Sequence, residues 1–198
     1  MKILFQGDSI TDCNRLKTTH GLGEGYVYFI SKEFQEHEII NRGISGNRMS
    51  HLKKRWIEDT IKINPDLLTI LIGINDVWHM HVFRTKFSID KFEKNYRELL
   101  DLALKNNPEL KIILMTPFNL PIGNYRSSWN KEFDLIMNVC HKLAMDYKLP
   151  LVNLHETIQI ASYTTKPEKL LYDGVHPTPL GHEIIKNEWI QVYKHIKK

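Results

Sequence analysis

Cysteine is scarce in this chain of 198 residues: only Cys13 and Cys140 occur, and they form no CxxC pair. Two isolated cysteines cannot build a disulfide framework or a thiolate metal cluster, and they fit a reducing compartment. Long apolar runs are absent as well; nothing approaches the roughly 18 residues that a membrane span needs. The N-terminus carries one lysine and a short strand-like run, without the apolar core and small-residue cleavage site of a signal peptide. These absences predict a cytoplasmic protein with no membrane partner. No linker, internal repeat or low-complexity stretch interrupts the sequence, so residues 1–198 read as one domain.

Charge of one sign is also missing. Lysine and arginine total 27 against 23 acidic residues, for a net charge of +4. The basic clusters, Lys53-Lys54-Arg55 and the tail Lys194, Lys197 and Lys198, fall within amphipathic patterns; Glu58 and Asp59 follow the first. They read as solvated helix faces, and no aromatic interleaving points to nucleic acid. Familiar nucleotide and hydrolase signatures are lacking too. Gly21-Leu22-Gly23-Glu24-Gly25 has neither GK[ST] nor the GxGxxG spacing, and no G-x-S-x-G elbow occurs. Asp8 is followed two residues on by Ile10, not by the second acid of an acid-x-acid phosphatase.

What is present is a regular alternation. Short β-branched runs at Lys2–Gln6, Ile39–Asn41, Leu67–Ile72, Lys111–Met115 and Leu151–Asn153 predict strands. Helical patterns follow each, over Tyr26–Gln35, Ser50–Asn64, Asp90–Asn106, Trp129–Lys148 and Pro179–Lys197. Leu52, Trp56, Ile57, Thr60 and Ile61 form an expected buried stripe, and Asp90 with Glu93 an expected capping box. Pro65 and Pro108 end the helices before the third and fourth strands. Five β-α repeats predict a three-layer α/β/α sandwich around a five-stranded parallel sheet.

The chemistry should sit in the loops after the strands. Those loops carry Gly7-Asp8-Ser9, then Asn41-Arg42-Gly43-Ile44-Ser45-Gly46-Asn47, then Gly73-Ile74-Asn75-Asp76, and finally Asp173-Gly174-Val175-His176. A serine hydroxyl is a poor nucleophile until a base takes its proton, and neutral imidazole suits that task. The imidazole must be held in one tautomer, and Asp173 stands three residues before His176. Ser9, Asp173 and His176 can meet only through folding, which suggests a serine hydrolase. Each residue alone also has a plain structural reading: Ser9 as a helix cap, Gly46 as a turn, Asn75 as a cap, His176 as an exposed loop residue. Asp8, Asp12 and Asp76 compete with Asp173 by proximity. His79 and His81 share a face if extended but lack further metal ligands, and His182 reads as structural or exposed. No metal or other cofactor is expected.

From Ile3 to about Gly181, these motifs in this order resemble the SGNH hydrolases, the GDSL-type esterases and lipases, whose fold is flavodoxin-like. The resemblance makes Ser9 the nucleophile, Asp173 and His176 the DxxH pair, and Ser9, Gly46 and Asn75 the donors of an oxyanion hole. Gly46 would be small so that its backbone can approach the reacting carbonyl. Two departures stand out: Ile10 replaces the leucine of GDSL, and Asn47 stands where many members carry Asp. Asp8, Asn47, Trp78 and His79 are candidate substrate-pocket residues. The segments around the motifs look like the branch of carbohydrate O-acetyl esterases, which implies a short, acetyl-type ester on a sugar or small alcohol. A lysophospholipase or thioesterase is the runner-up within the family, and a metal-dependent phosphoesterase the remote alternative outside it. Trp78 and Tyr125, read as exposed aromatics, line either a pocket or an interface, which leaves a homo-oligomer open.

Overall fold

Five short parallel strands organise the chain: β1 (Lys2–Gly7), β2 (Glu38–Asn41), β3 (Leu67–Leu71), β4 (Lys111–Met115) and β5 (Leu151–Val152). They lie in the order β2-β1-β3-β4-β5 in the computed structural model, which describes residues 1–196. β1 and β3 pair in register from Ile3 opposite Leu67 to Gly7 opposite Leu71. Helices cover both faces of this centre, so every residue of β3 is buried and its sequence LLTIL shows no alternation. The chain reverses direction of winding between β1 and β3. In open sheets of this kind, that point is where the carboxyl ends of the strands leave a crevice.

The helices are α1 (Ser9–Asp12), α2 (Tyr26–Glu33), α3 (Met49–Trp56), α4 (Ile74–Phe83), α5 (Ile89–Asn106), α6 (Asn130–Asp146), α7 (Leu154–Ser162), α8 (Pro167–Leu170) and α9 (Pro179–Ile196). One layer holds α2, α7 and α9; the other holds α3, α5 and α6. Trp189 of α9 is fully buried, stacks on Tyr193, and donates its indole N–H to Thr69 Oγ1 of β3 at 3.0 Å. On the opposite face Trp56 donates to the Leu99 carbonyl at 3.1 Å, tying α3 to α5. Burying side chains of this size is worth roughly 2–3 kcal/mol each, and these two anchor one helix layer apiece.

The five predicted strands and five predicted helices all appear, with bounds shifted by a few residues. Three local expectations fail. The capping box at Asp90 is replaced by Ser88, whose hydroxyl accepts from the Lys91 N–H at 3.3 Å. Ser88 is extended, at φ −144°, whereas Asp90 is already within the helix, so only the serine can reach the free N–H groups. The helix Ser50–Asn64 does not run evenly: α3 passes into a π turn over Ile57–Ile61, closed by Lys62 N–H to Ile57 O at 2.9 Å. The wider turn breaks the 3.6-residue period, so Ile57 is 47% exposed while Trp56 and Thr60 stay buried. Four further helices, α1, α4, α7 and α8, form in stretches that read as loops. Lys197 and Lys198, the end of the predicted last helix and of the basic tail, lie outside the described residues.

Candidate active site

Ser9 is delivered by a tight strand-to-helix turn. β1 ends at Gly7, where a Cβ would meet Thr11 Oγ1 at 2.2 Å and the Leu71 carbonyl at 2.6 Å. Asp8 caps α1 by accepting the Ile10 N–H at 3.1 Å, which makes Ser9 the first residue of that helix. Its hydroxyl therefore emerges at the carboxyl edge of the central strand. Ser9 Oγ lies 2.9 Å from His176 Nε2, and His176 Nδ1 lies 2.8 Å from Asp173 Oδ2. Residues 167 positions apart in sequence are thus in hydrogen-bonding contact.

The loop carrying the acid and the histidine is fixed by its own backbone. Asp173 Oδ1 accepts the N–H groups of Val175 at 3.1 Å and His176 at 2.8 Å, leaving Oδ2 free for the imidazole. Tyr172 N–H closes the turn onto the His176 carbonyl at 2.8 Å. A second loop, after β4, braces it: Leu120 N–H donates to Gly174 O and Asn124 N–H to Asp173 O, both at 2.9 Å. Gly123 and Gly174 interlock there. A Cβ on Gly123 would lie 2.5 Å from Asp173 Cα, and one on Gly174 would lie 2.3 Å from Ile122 O. Nothing in the DxxH motif announces this brace. Gly123 between Ile122 and Asn124 signals only a turn, so its partner stays invisible in the sequence.

Charge follows the geometry. Burial opposes ionisation of Asp173, but the hydrogen bonds from the His176 ring and from the His176 and Val175 N–H groups outweigh it and bring the carboxyl to about 2. The bond to Asp173 lifts His176 above its ordinary value against the pull of burial, and the charges of Asp173 and Asp8 add to the lift. Asp8 and Asp76 go the other way: burial raises each to about 7. Neither serves His176 as Asp173 does. Asp76 Oδ2 accepts the Met49 N–H at 3.0 Å, and Asp12 is taken by Ser45 N–H at 3.1 Å and Ser45 Oγ at 2.8 Å.

The loop after β2 is clamped against this centre. Asn41 Nδ2 donates to Thr11 O at 2.6 Å, and Arg15 Nε donates to Gly43 O at 2.6 Å. Gly46 has φ +78°, and a Cβ there would meet nothing within 4 Å. Glycine is therefore required by backbone conformation, not by protein crowding, and the space beside it is open. Asn75 is 8% exposed and donates Nδ2 to the Asn47 carbonyl at 3.2 Å, which places the second and third motifs side by side.

Arg55 corrects an expectation: instead of lying on a solvated face it is half-buried and reaches across α3. Its guanidinium donates to Gln6 Oε1 at 2.7 Å, Asn47 Oδ1 at 2.8 Å, Gly7 O at 3.1 Å and Asp59 Oδ2 at 3.1 Å. It ties the end of β1 to the loop holding Gly46. The flanking Lys-Lys pair and the acids that follow disguise this role in the sequence.

The candidate pocket residues separate. Trp78 is half-buried, with its ring 5.8 Å from that of His176 and 5.6 Å from Trp129, and so walls the site. Asp8 is 1% exposed and cannot line an open pocket; its Oδ2 has no partner among the described residues. Asn47 is largely buried and held by Arg55 and Asn75. His79 is half-buried and faces Phe83 edge-on at 5.1 Å, and burial and the nearby charge of Arg48 lower its pKa. Tyr125, expected to be exposed, is buried against Trp129 and donates its hydroxyl to Asn130 at 2.8 Å. His81 contacts Glu132 at 2.9 Å. His182 is buried, accepts from Tyr26 N–H at 3.2 Å, and is pushed down to about 4 by burial. It is structural.

A parallel sheet of this order, with serine, glycine, asparagine and histidine motifs gathered at its switch point, has the architecture of the SGNH hydrolases. The sequence model of the GDSL-like Lipase/Acylhydrolase family matches residues 5–184, and the chain belongs to that family of carboxylic ester hydrolases. It is 34% identical over 206 aligned positions to an acetylxylan esterase from Geobacillus stearothermophilus, covering 96% of this chain and 92% of that protein. A crystal structure of an acetylxylan esterase from the same organism superposes with a TM-score of 0.85 at 33% identity, covering 96% of this chain and 93% of that one. A GDSL-like protein from Parabacteroides merdae superposes with a TM-score of 0.92 at 34% identity over 96% and 94% of the two chains.

Proposed function

We propose that this protein is a serine esterase that removes short acyl groups, acetyl above all, from carbohydrate alcohols. The unbroken contact from Ser9 Oγ through the His176 ring to Asp173 carries the reading. The acetylxylan esterase relatives support the substrate class. In the first half-reaction Ser9 Oγ attacks the ester carbonyl while His176 Nε2 takes the hydroxyl proton. Asp173 holds the Nδ1 proton and stabilises the imidazolium. The carbonyl electrons move onto oxygen, which the Ser9 and Gly46 N–H groups and the Asn75 amide receive; Asn75 turns from the Asn47 carbonyl to do so. Loss of one such donor costs about 3–4 kcal/mol of transition-state stabilisation. Collapse expels the sugar alkoxide, which takes the proton from His176. Water then attacks the acyl-enzyme with His176 again as base, releasing the acid and restoring Ser9.

No step calls for a metal, and we place the reaction in the cytoplasm on a small carbohydrate ester, within one domain. The test is a chain-length series of nitrophenyl esters followed by acetylated xylooligosaccharides. The expected kcat/KM falls from acetyl to octanoyl, and acetylated sugars are deacetylated. Faster turnover of octanoyl than acetyl ester would replace the reading with a long-chain acyl hydrolase. Ser9→Ala should lower kcat by roughly 10⁶ with the fold intact.

A further inference from the structure

Beside the third motif lies a cavity of about 160 Å³ that the reaction above does not use. Its walls include Arg48 and Met49 at the start of α3, Asp76 in α4, and Lys86, Lys91 and Asn95 around the start of α5. Arg48 follows Asn47, and Asp76 follows Asn75, so the cavity adjoins the loops that carry the acyl-binding donors. None of Arg48, Lys86 and Lys91 forms an ion pair among the described residues. Arg48 Nε is buried with no hydrogen-bond partner. The guanidinium's hydrogen-bonding neighbour is His51, whose Nε2 lies 3.3 Å from Arg48 Nη2 while its Nδ1 lies 3.3 Å from the Arg48 N–H, and the Arg48 charge also reaches Asp76 and His79. A neutral ring accepts through one nitrogen only, so at most one of these contacts is a hydrogen bond.

Asn95 adds a donor. It is 7% exposed, and its Oδ1 accepts from Lys53 Nζ at 3.0 Å. Because lysine only donates, that contact fixes the amide orientation and leaves Nδ2 without an acceptor among the described residues. The one acid in the lining, Asp76, has Oδ2 occupied by the Met49 N–H and is raised to about 7 by burial, against the opposing charge of Arg48. The lining therefore carries three cations against one acid, and Arg48 Nε and Asn95 Nδ2 lack acceptors among the described residues. Lys86 and Lys91 are exposed and solvated, so the cost of an unpartnered cation falls on half-buried Arg48, and an anion relieves it.

We propose that this cavity binds an anionic group, a carboxylate or phosphate, with Arg48 as its principal contact and Lys86, Lys91 and Asn95 beside it. Resting on the carbohydrate esterase reading, the most direct source is a uronate substituent on the acylated sugar, seated here while the ester reaches Ser9. The cavity has room for such a group and not for a free oligosaccharide. Recognition of this kind acts through binding, so it should appear in KM and weaken with ionic strength.

The experiment compares acetylated xylooligosaccharides with and without a glucuronate side group, using wild type, Arg48→Gln and the double variant Lys86→Gln/Lys91→Gln. Wild type should show a KM lower by about tenfold for the acidic substrate, and Arg48→Gln should abolish that preference while leaving turnover of nitrophenyl acetate unchanged. Equal KM for both substrates in wild type would overturn the substrate-borne form. A direct titration separates the failure of the site from failure of the sugar reading: backbone amide shifts at Ser50 and Ser88 are followed with methyl glucuronoside and with inorganic phosphate. Saturable shifts lost in Arg48→Gln support the site, and saturation by phosphate alone assigns it to a free anion. No saturable shift with either probe overturns the proposal, whatever sugars the enzyme deacetylates.

Discussion

At the scale of single residues, the pairing of Asp173 with His176 makes the sharpest claim. A raised His176 keeps its proton to higher pH, and protonated imidazole cannot act as base. Activity should therefore fall on acidification through an apparent pKa above the ordinary histidine value of 6.5. In Asp173→Asn the lifting hydrogen bond and charge are gone, so the acid limb of kcat/KM should move to lower pH while kcat drops by up to about 10⁴. The same change at Asp12, whose carboxylate holds Ser45, should leave the limb where it is. A pH–rate profile of the variants checks both; an unmoved limb in Asp173→Asn would leave His176 without its assigned partner. The three-residue offset of this pair was legible in the sequence because the partners share one loop. Arg55 was not, because its four acceptors come from β1, the second loop and the π turn. Asp8 reads as a pocket residue in the sequence but is buried in the fold, because burial of a motif residue cannot be read from its neighbours in the chain.

At the scale of elements, strands and long helices were readable because their periodicity spans many residues. The helices α1 and α4 were not, since each is fixed by the strand it leaves more than by its own pattern. The brace between the loop after β4 and the loop carrying Asp173 is the element-level feature with the clearest consequence. Gly123 and Gly21 both have positive φ, at +60° and +69°, but only Gly123 has backbone against its Cβ position. Gly21→Ala should cost about 1–2 kcal/mol in stability through strain alone, with kcat unchanged. Gly123→Ala bears the same strain and must also push Asp173 away, so stability should fall further and kcat with it. Urea midpoints read beside kcat for the two variants test this; equal kcat in both would show that the brace does not position the acid.

Across the whole molecule, the order β2-β1-β3-β4-β5 explains why motifs from both ends of the chain converge. β1 and β3 are neighbours at the sheet centre, so Ser9 and Asn75 leave adjacent strand ends, while β2 brings Gly46 from one side and the loop before α9 brings His176 from the other. The alternation of strand and helix made this architecture legible, and the spacing of the motifs made the site so. The cavity beside Arg48 was not, because its walls come from α3, α4 and α5 and share no sequence signature. The central claim, that Ser9 carries the acyl group, is tested most directly by covalent trapping with a serine-directed phosphonate, read by intact mass and peptide mapping. One phosphonyl group should be found on the peptide containing Ser9, at a rate that follows the acid limb of kcat/KM, and Ser9→Ala should take up none. Labelling of another residue with loss of activity, or full activity after stoichiometric labelling of Ser9, would contradict the account.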